Sequence, residues 1–339
     1  MSTPVVIDAR AAVRGQIGGV ERVAREMVAR LPPLAPGRYR VAAPPRALAH
    51  RAGHAWEQAW LPLAAARAEV LYCPANLAPL ASRRTAVLIH DAAGMTYPEW
   101  YSPAYVRWQR AVLPRVARRA RLVLCPSRFS AEEVARATGI EQSSIEVVPN
   151  GVDARFSPDA DAGAARAALG LGRDYALLVG TRIARKNVGA LASTAEALAA
   201  QDLDLVAAGS GRHYMKTDAQ APVRALGYVP ERLLPGLYAG ARALVMPSLH
   251  EGFGLPCLEA MASGTPVVAS RLGALPETCG DAALLVDPGD PGQVSRAVLE
   301  AALEPATRER LVAAGLERAR AFSWERSARQ TDAALADLL

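Results

Sequence analysis

Lysine is nearly missing from this chain: 37 of its 39 basic residues are arginine, and the exceptions are Lys186 and Lys216. Where arginine is the default cation, a lysine marks a place where a compact, strongly hydrated ammonium is wanted. Cysteine is equally thin. Cys73, Cys125, Cys257 and Cys279 lie far apart with no C-x-x-C pair, which excludes a disulfide framework or a zinc cage and leaves them as small buried hydrophobes or incidental thiols. The five histidines show no H-E-x-x-H spacing, so neither a catalytic nor a structural metal is expected. No apolar run approaches the roughly 18 residues of a membrane span. The first 33 residues are broken by Asp8, Arg10, Arg14 and Glu21, which argues against a signal peptide and for a cytosolic protein. Low-complexity tracts are absent too, and 51% of the residues are apolar, so a length of 339 residues suggests two packed domains.

What is present has a rhythm. Short apolar runs (Pro4–Ile7, Glu69–Tyr72, Ala86–Ile89, Leu122–Cys125, Ile145–Val148) alternate with alanine-rich helical stretches. The pattern repeats with Ala176–Val179, Leu203–Ala208, Ala243–Met246, Pro266–Ala269 and Ala283–Val286. Such alternation predicts parallel α/β units, here two doubly wound sheets. The turn-rich stretch Pro149-Asn150-Gly151 to Ser157-Pro158 suits a linker between them. Ligands of such folds bind beyond the carboxyl ends of the strands, so the active site is expected in a cleft between the two domains. Charge is uneven as well: residues 1–160 hold 21 arginines against 13 acids, and the rest of the chain 18 basic against 20 acidic residues. The first half could therefore meet an anionic partner.

The most informative segment is Ser248-Leu249-His250-Glu251-Gly252-Phe253-Gly254-Leu255-Pro256-Cys257-Leu258-Glu259, continuing through Gly264 to Val268. It reads as strand, glycine loop, helix, glycine stop, strand. Pro256 suits the first turn of a helix and Gly264 its end. The free amides of that helix, facing a loop with Gly252 and Gly254, make an anion site to which backbone can approach closely. Glu251, in the loop, can reach a polar group of a ligand, and Glu259, one turn inside the helix, can hold a vicinal diol such as a ribose. Two glutamates eight apart also arise by chance, and a carboxylate near a helix start is ordinarily a dipole partner; the intact stretch decides otherwise. It resembles the Glu-x7-Glu pattern of the retaining glycosyltransferases of family 4, which have the GT-B fold of two Rossmann-like domains and use nucleotide sugars.

The resemblance extends over nearly the whole chain. It implies an acceptor-side domain over 1–155, a donor-binding domain over 156–321, and a last helix from about 322 to 339 packing back on the first. Leu177 to Asn187 is similar to the family's donor-diphosphate region, which assigns phosphate contacts to Gly180, Thr181, Arg182, Arg185 and Lys186; many members carry Arg where Thr181 stands. Gly15 to Arg22 resembles the family glycine loop, with Gly18 and Gly19 under the donor sugar and phosphate. His90-Asp91 resembles the dipeptide lining the sugar site. Gly209-Ser210-Gly211 and Gly227-Tyr228-Val229 resemble loops around the nucleotide base, placing Gly209, Tyr228 and Val229 in the donor set with Glu251, Gly252, Phe253, Gly254, Leu255 and Glu259. Catalytic roles then fall to Lys186, Glu251, His90 and Asp91. Cys125 to Ser130, Val148 to Asp153 and Phe322 to Glu325 look like family landmarks of the scaffold.

The implied activity is transfer of a hexose, with mannose from GDP-mannose the first choice, to a glycan or lipid-linked glycan acceptor. Gly180-Thr181, Arg185-Lys186-Asn187 and His90-Asp91 followed by Pro98-Glu99-Trp100 resemble bacterial mannosyltransferases of O-antigen and exopolysaccharide assembly. A UDP-sugar donor, a nucleotide-sugar epimerase of the same fold and a non-catalytic nucleotide-sugar-binding protein are the alternatives, with a dehydrogenase weaker. No resident cofactor is implied, and an Asp-x-Asp metal clamp is not expected. Five aromatics from Tyr97 to Trp108, and seven arginines with no acid between Trp100 and Ala131, form either an acceptor rim or membrane-surface patch, or a solvated helix face over core aromatics. Pro114 is expected to interrupt any helix there. Nucleic acid is disfavoured because no stacking platform accompanies the charge.

Overall fold

The computed structural model describes residues 4–15, 17–45, 53–180, 183–209 and 223–339. The chain divides into two compact units. The first comprises residues up to Thr96, Pro103–Gly151 and Trp324–Leu339; the second comprises Tyr97–Ser102 and Val152–Ser323.

In the first unit β1 (Val5–Asp8), α1 (Gly19–Leu34), β2 (Tyr39–Ala42), α2 (Gly53–Ala64), β3 (Val70–Cys73) and β4 (Thr85–Leu88) lead into the short α3 (Ala93–Thr96). Helix α4 (Pro103–Arg119), β5 (Leu122–Cys125), α5 (Arg128–Thr138) and β6 (Ile145–Val147) follow. The strands form one parallel sheet in the order β2-β1-β3-β4-β5-β6. Trp56 and Leu61 of α2, Leu113 and Val116 of α4 and Val134 of α5 pack in one cluster with Val87 and Val123, so these three helices cover the same face of the sheet. The Ser127 hydroxyl caps α5 by accepting from the Ser130 amide at 3.0 Å. Contrary to the sequence expectation, Pro114 does not interrupt α4. Val106, Gln109, Leu113, Val116 and Ala117 are buried along it, and this packing outweighs the one backbone hydrogen bond that proline removes.

The second unit holds α6 (Ala162–Leu169), β7 (Asp174–Val179), α7 (Ala192–Ala199), β8 (Leu203–Ala208), β9 (Arg224–Gly227), α8 (Leu234–Ala239) and β10 (Ala243–Met246). It continues with α9 (Leu255–Ala262), β11 (Val267–Ser270), α10 (Leu275–Cys279), β12 (Ala283–Val286), α11 (Pro291–Leu303) and α12 (Pro305–Arg320). Its parallel sheet runs β12-β11-β10-β7-β8-β9. Leu178, Val245, Val268 and Val286 face Val294 and Val298 of α11 in its core. The last helix, α13 (Trp324–Ala336), groups with the first unit and packs on α1. Its Asp332 binds Arg38 at 2.6 Å and the Tyr39 hydroxyl at 2.5 Å. All four cysteines are buried free thiols.

Each sheet has a point where the winding reverses. In the second unit the chain runs outward from β7 through β8 to β9 and returns on the other side of β7 with β10. In the first, the reversal lies between β1 and β3. Loops leaving the carboxyl ends of two such strands diverge to opposite faces and open a crevice, the usual ligand position in these folds.

Candidate active site

Two loops meet at the β7/β10 reversal. The chain leaves β7 at Gly180, with φ +144°, where a Cβ would lie 2.9 Å from Lys186 Cε and 3.1 Å from its Nζ. Gly180 therefore leaves the room through which Lys186 folds back over the strand end. Lys186 closes a short 3₁₀ turn, Ala184–Lys186, that stops at Asn187 in the left-handed conformation. The Asn187 side chain holds that position, its Nδ2 donating to the Pro288 carbonyl at 2.9 Å. Lys186 is only 5% exposed. Its Nζ lies 2.5 Å from Glu251 Oε1 and 3.7 Å from Met246 Sδ at the end of β10. Arg185 Nη1 stands 3.4 Å from Glu251 Oε2 and donates to the His250 carbonyl at 2.8 Å, while the Leu249 amide donates back to the Arg185 carbonyl at 2.8 Å. The two loops are thus tied together through backbone and charge.

The electrostatics follow from burial. Burial works against the Glu251 charge, but the Lys186 ammonium and the Arg185 guanidinium outweigh it and hold the carboxyl at about 2. Burial pushes the Lys186 ammonium below the ordinary lysine value, and the Glu251 carboxylate opposes that push. The Lys186 ammonium and the Arg185 guanidinium both lie against the Glu251 carboxylate, so the two loops bring positive charge to the strand ends.

Helix α9 begins beside this pair. Gly254 is its N-cap, Leu255 and Pro256 form its first turn, and Gly264 lies just beyond its end. Glu259 is buried inside it and accepts a hydrogen bond from the Tyr238 hydroxyl of α8 at 2.7 Å. Phe253 is buried with its ring 5.9 Å from that of Phe322, and its carbonyl accepts from Thr278 Oγ1 at 2.6 Å. Behind Glu251 stands a residue the sequence reading missed. Gly273, with φ +67°, lies so close that a Cβ there would be 2.8 Å from both the Glu251 nitrogen and its carbonyl oxygen; the next amide, Ala274, donates to that oxygen at 2.9 Å. Its signal was in the sequence: Val267 to Pro276 repeats the strand, glycine loop and proline-started helix of the Glu251 segment. His250 was missed as well. It is buried with its ring 5.3 Å from Tyr97, which stacks on Trp100 at 4.4 Å.

Gly209 follows β8, its amide donating to Gly227 at 2.7 Å. Tyr228, 43% exposed, and the buried Val229 follow β9. Thr181, Arg182, Ser210, Gly211 and Lys216 lie outside the described residues. In the first unit, the Glu21 carboxylate reaches back to the Gly18 amide at 3.0 Å where Gly19 opens α1. His90 lies two residues beyond the end of β4, with its amide donating to Asn76 Oδ1 at 2.7 Å and its Nε2 3.0 Å from the Pro74 carbonyl. That carbonyl can only accept, so Nε2 carries the hydrogen and Nδ1 is the acceptor side. Burial lowers the His90 pKa, keeping the ring neutral against the opposing Pro74 hydrogen bond. Asp91 Oδ1 accepts from the Ala93 amide at 3.2 Å.

The expectation that no Asp-x-Asp is on offer needs correction. Asp159-Ala160-Asp161 and Asp202-Leu203-Asp204 both have the spacing. Asp161 caps α6 through the Ala164 amide at 2.8 Å, and Asp202 and Asp204 pair with Arg173 and Arg224 at 3.2 and 3.5 Å. Among the described residues no three His, Cys, Asp or Glu side chains gather as a metal site would need.

Residues 38–156 match the profile of Glycosyltransferase Family 4, and residues 173–303 that of Glycosyl transferases group 1. The O-antigen chain mannosyltransferase B of Escherichia coli is 33% identical over 297 residues, 84% of this chain and 78% of that protein. The chain belongs to glycosyltransferase family 4. Also similar to this glycosyltransferase is the D-inositol 3-phosphate glycosyltransferase of a Nocardioides species, at 34% identity over 64% of the chain and 54% of that relative. Its GT-B fold is shared by solved structures, among them the following two. The sucrose-phosphate synthase of Thermosynechococcus elongatus superposes with a TM-score of 0.75 at 21% identity over 99% of both chains. The Anabaena protein HepE in complex with UDP-glucose does so at 0.74 and 19% identity, over 98% of this chain and 99% of that one. The Lys186–Glu251 crevice is thus part of a glycosyltransferase.

Proposed function

We propose that this glycosyltransferase moves mannose from GDP-mannose to a glycan or lipid-linked glycan acceptor, with retention of the anomeric configuration and without a metal. The observation that carries the reading is the buried Lys186–Glu251 pair, with Arg185 beside it, at the strand-end crevice next to the start of α9. Likeness to a mannosyltransferase of O-antigen assembly supports the choice of sugar and acceptor. In this reading residues 156–321 hold the donor and residues 1–155 serve the acceptor. Lys186, Arg185 and Gly180 with its neighbours Thr181 and Arg182 take the diphosphate, and Glu251 with the Gly252–Leu255 loop takes the sugar. Glu259 takes the ribose, Gly209, Tyr228 and Val229 surround the base, and Gly18, Gly19, His90 and Asp91 line the sugar from the first unit. The basic, acid-free stretch 100–131 contacts an anionic membrane surface.

The chemistry follows from these placements. As the bond between the anomeric carbon and the phosphate oxygen breaks, charge grows on the departing diphosphate, and a point cation aimed there stabilises the transition state more than the ground state. The acceptor hydroxyl attacks from the face the diphosphate leaves, and the departing phosphate oxygen takes its proton. Glu251, held ionised beside Lys186, binds sugar hydroxyls rather than forming a covalent intermediate.

The division between the glutamates is testable by titrating free GDP. Glu259→Ala should weaken binding by roughly tenfold or more, the worth of a charged hydrogen bond, while Glu251→Ala leaves GDP affinity nearly intact and lowers turnover. Equal losses of affinity would contradict the division. The donor itself is tested by slow hydrolysis of a panel of nucleotide sugars. GDP-mannose should be consumed fastest; faster loss of UDP-glucose would shift the assignment to a UDP-sugar, and an isomerised nucleotide sugar would identify an epimerase.

A further inference from the structure

Helix α2 carries an exposed apolar face. Its inner side is packed: Trp56 and Leu61 join the core, and Glu57, its only acidic or basic residue apart from His54, is buried 2.6 Å from Arg10 Nε. Its outer side bears Trp60 at 66% and Leu63 at 72% exposure, the two most exposed large apolar side chains among the described residues. Exposed Ala55 and Ala59 extend the same stripe at helical spacing, uninterrupted by charge.

Positive charge frames this stripe. The Arg40 guanidinium donates to the Ala64 carbonyl, Arg84 Nη1 donates to the Ala68 carbonyl at 3.3 Å, and Arg67 is exposed just past the helix end. Between Gln58 and His90 the sequence holds a single acid, Glu69. On the same side of the sheet α4 presents exposed Arg107, Arg110, Arg115, Arg118 and Arg119.

Length excludes a spanning role: α2 has 12 residues, and among the described residues no helix is long and apolar enough to cross a membrane. A second copy of the chain, docked through the same patch, would set arginine against arginine across a two-fold axis. An anionic lipid surface meets both halves of the patch, taking an indole and a leucine into the headgroup layer while the arginines face phosphates. We infer that α2 lies in the plane of an anionic membrane, with Trp60 and Leu63 inserted and Arg40, Arg67, Arg84 and the α4 arginines on the lipid phosphates. The inference deepens the membrane contact proposed above and rests on that reading for its partner, not on the donor chemistry.

The test is co-sedimentation of the full chain with vesicles of phosphatidylcholine alone or mixed with phosphatidylglycerol. The wild type should bind the mixed vesicles and bind less as salt rises, since screening acts over about 8 Å at physiological ionic strength. The W60S/L63S double variant, matched in thermal unfolding, should partition roughly tenfold or more weakly, and its donor hydrolysis in solution should be unchanged. Equal binding of wild type and double variant, or of both vesicle types, would overturn the inference, as would no binding at low salt. A wild-type dimer that the double variant turns into a monomer would overturn it in favour of a second copy. Vesicle binding as expected, with no nucleotide sugar consumed, would sink the donor reading and leave this one standing.

Discussion

Lys186→Ala is expected to lower turnover by about 100- to 1,000-fold, the usual loss when one charge-stabilising donor is removed from a developing anion. The structure adds a second expectation. Lys186 is the near partner of a buried carboxylate, so its loss leaves Glu251 without its closest cation, Arg185 standing farther off at 3.4 Å. Breaking a buried pair from one side costs roughly 3 kcal/mol, and denaturant unfolding should show a loss of that order. Lys186→Arg should not fully restore activity, because the side chain passes over Gly180 and places a compact ammonium against Glu251 and Met246, a point charge that a branched guanidinium does not reproduce. Acid sensitivity gives a further readout. Glu251 is held at about 2 against an ordinary 4.5, so its contribution to stability is present in full above pH 4.5 and is lost as pH falls toward 2. Removing the Lys186 ammonium should shrink that acid-labile part. An alanine variant with full activity would take Lys186 out of the site.

Gly273→Ala is expected to be nearly as damaging, although the residue bears no functional group. Its φ of +67° strains any L side chain, and the added Cβ would meet Glu251 backbone atoms at 2.8 Å, which cannot swing away as a side-chain end can. The Glu251 loop must shift, and misplacement by about 1 Å can cost on the order of 100-fold in rate. The expected result is a drop in turnover of roughly 10- to 100-fold with a loss of about 2 kcal/mol in stability. Gly172→Ala is the control, since a Cβ there meets nothing within 4 Å. Steady-state kinetics on both variants decide the matter. Similar rates for the two would show that the Glu251 loop is not held by Gly273.

The parts of the fold legible in the sequence were those that are buried. All ten apolar runs read as strands form strands. The two that escaped, Tyr39–Ala42 and Arg224–Gly227, are edge strands of their sheets with half-exposed residues, so neither shows a continuous apolar run. Pro114 misled for the converse reason: tertiary packing of α4 overrides a local breaker. At the candidate site, Glu251, Glu259 and Lys186 were singled out by motif and by the rarity of lysine. That Lys186 and Glu251 are partners 2.5 Å apart was not legible, because 65 residues separate them and only the β7/β10 reversal brings them together. Gly273 acts through backbone contact and was signalled only by the repeated strand, glycine loop and proline pattern of Val267 to Pro276, while His250 acts through ring packing, which has no residue-type signature of its own.

Retention without a metal is the claim on which the proposed roles stand together, and NMR of the freshly released sugar tests it most directly. With GDP-mannose, the protein and EDTA in one tube, the first mannose to appear before mutarotation should have the same anomeric configuration as the donor, because the leaving diphosphate and the incoming hydroxyl share one face. Appearance of the opposite anomer first, or loss of all reaction in EDTA with recovery on adding a divalent ion, would contradict the account.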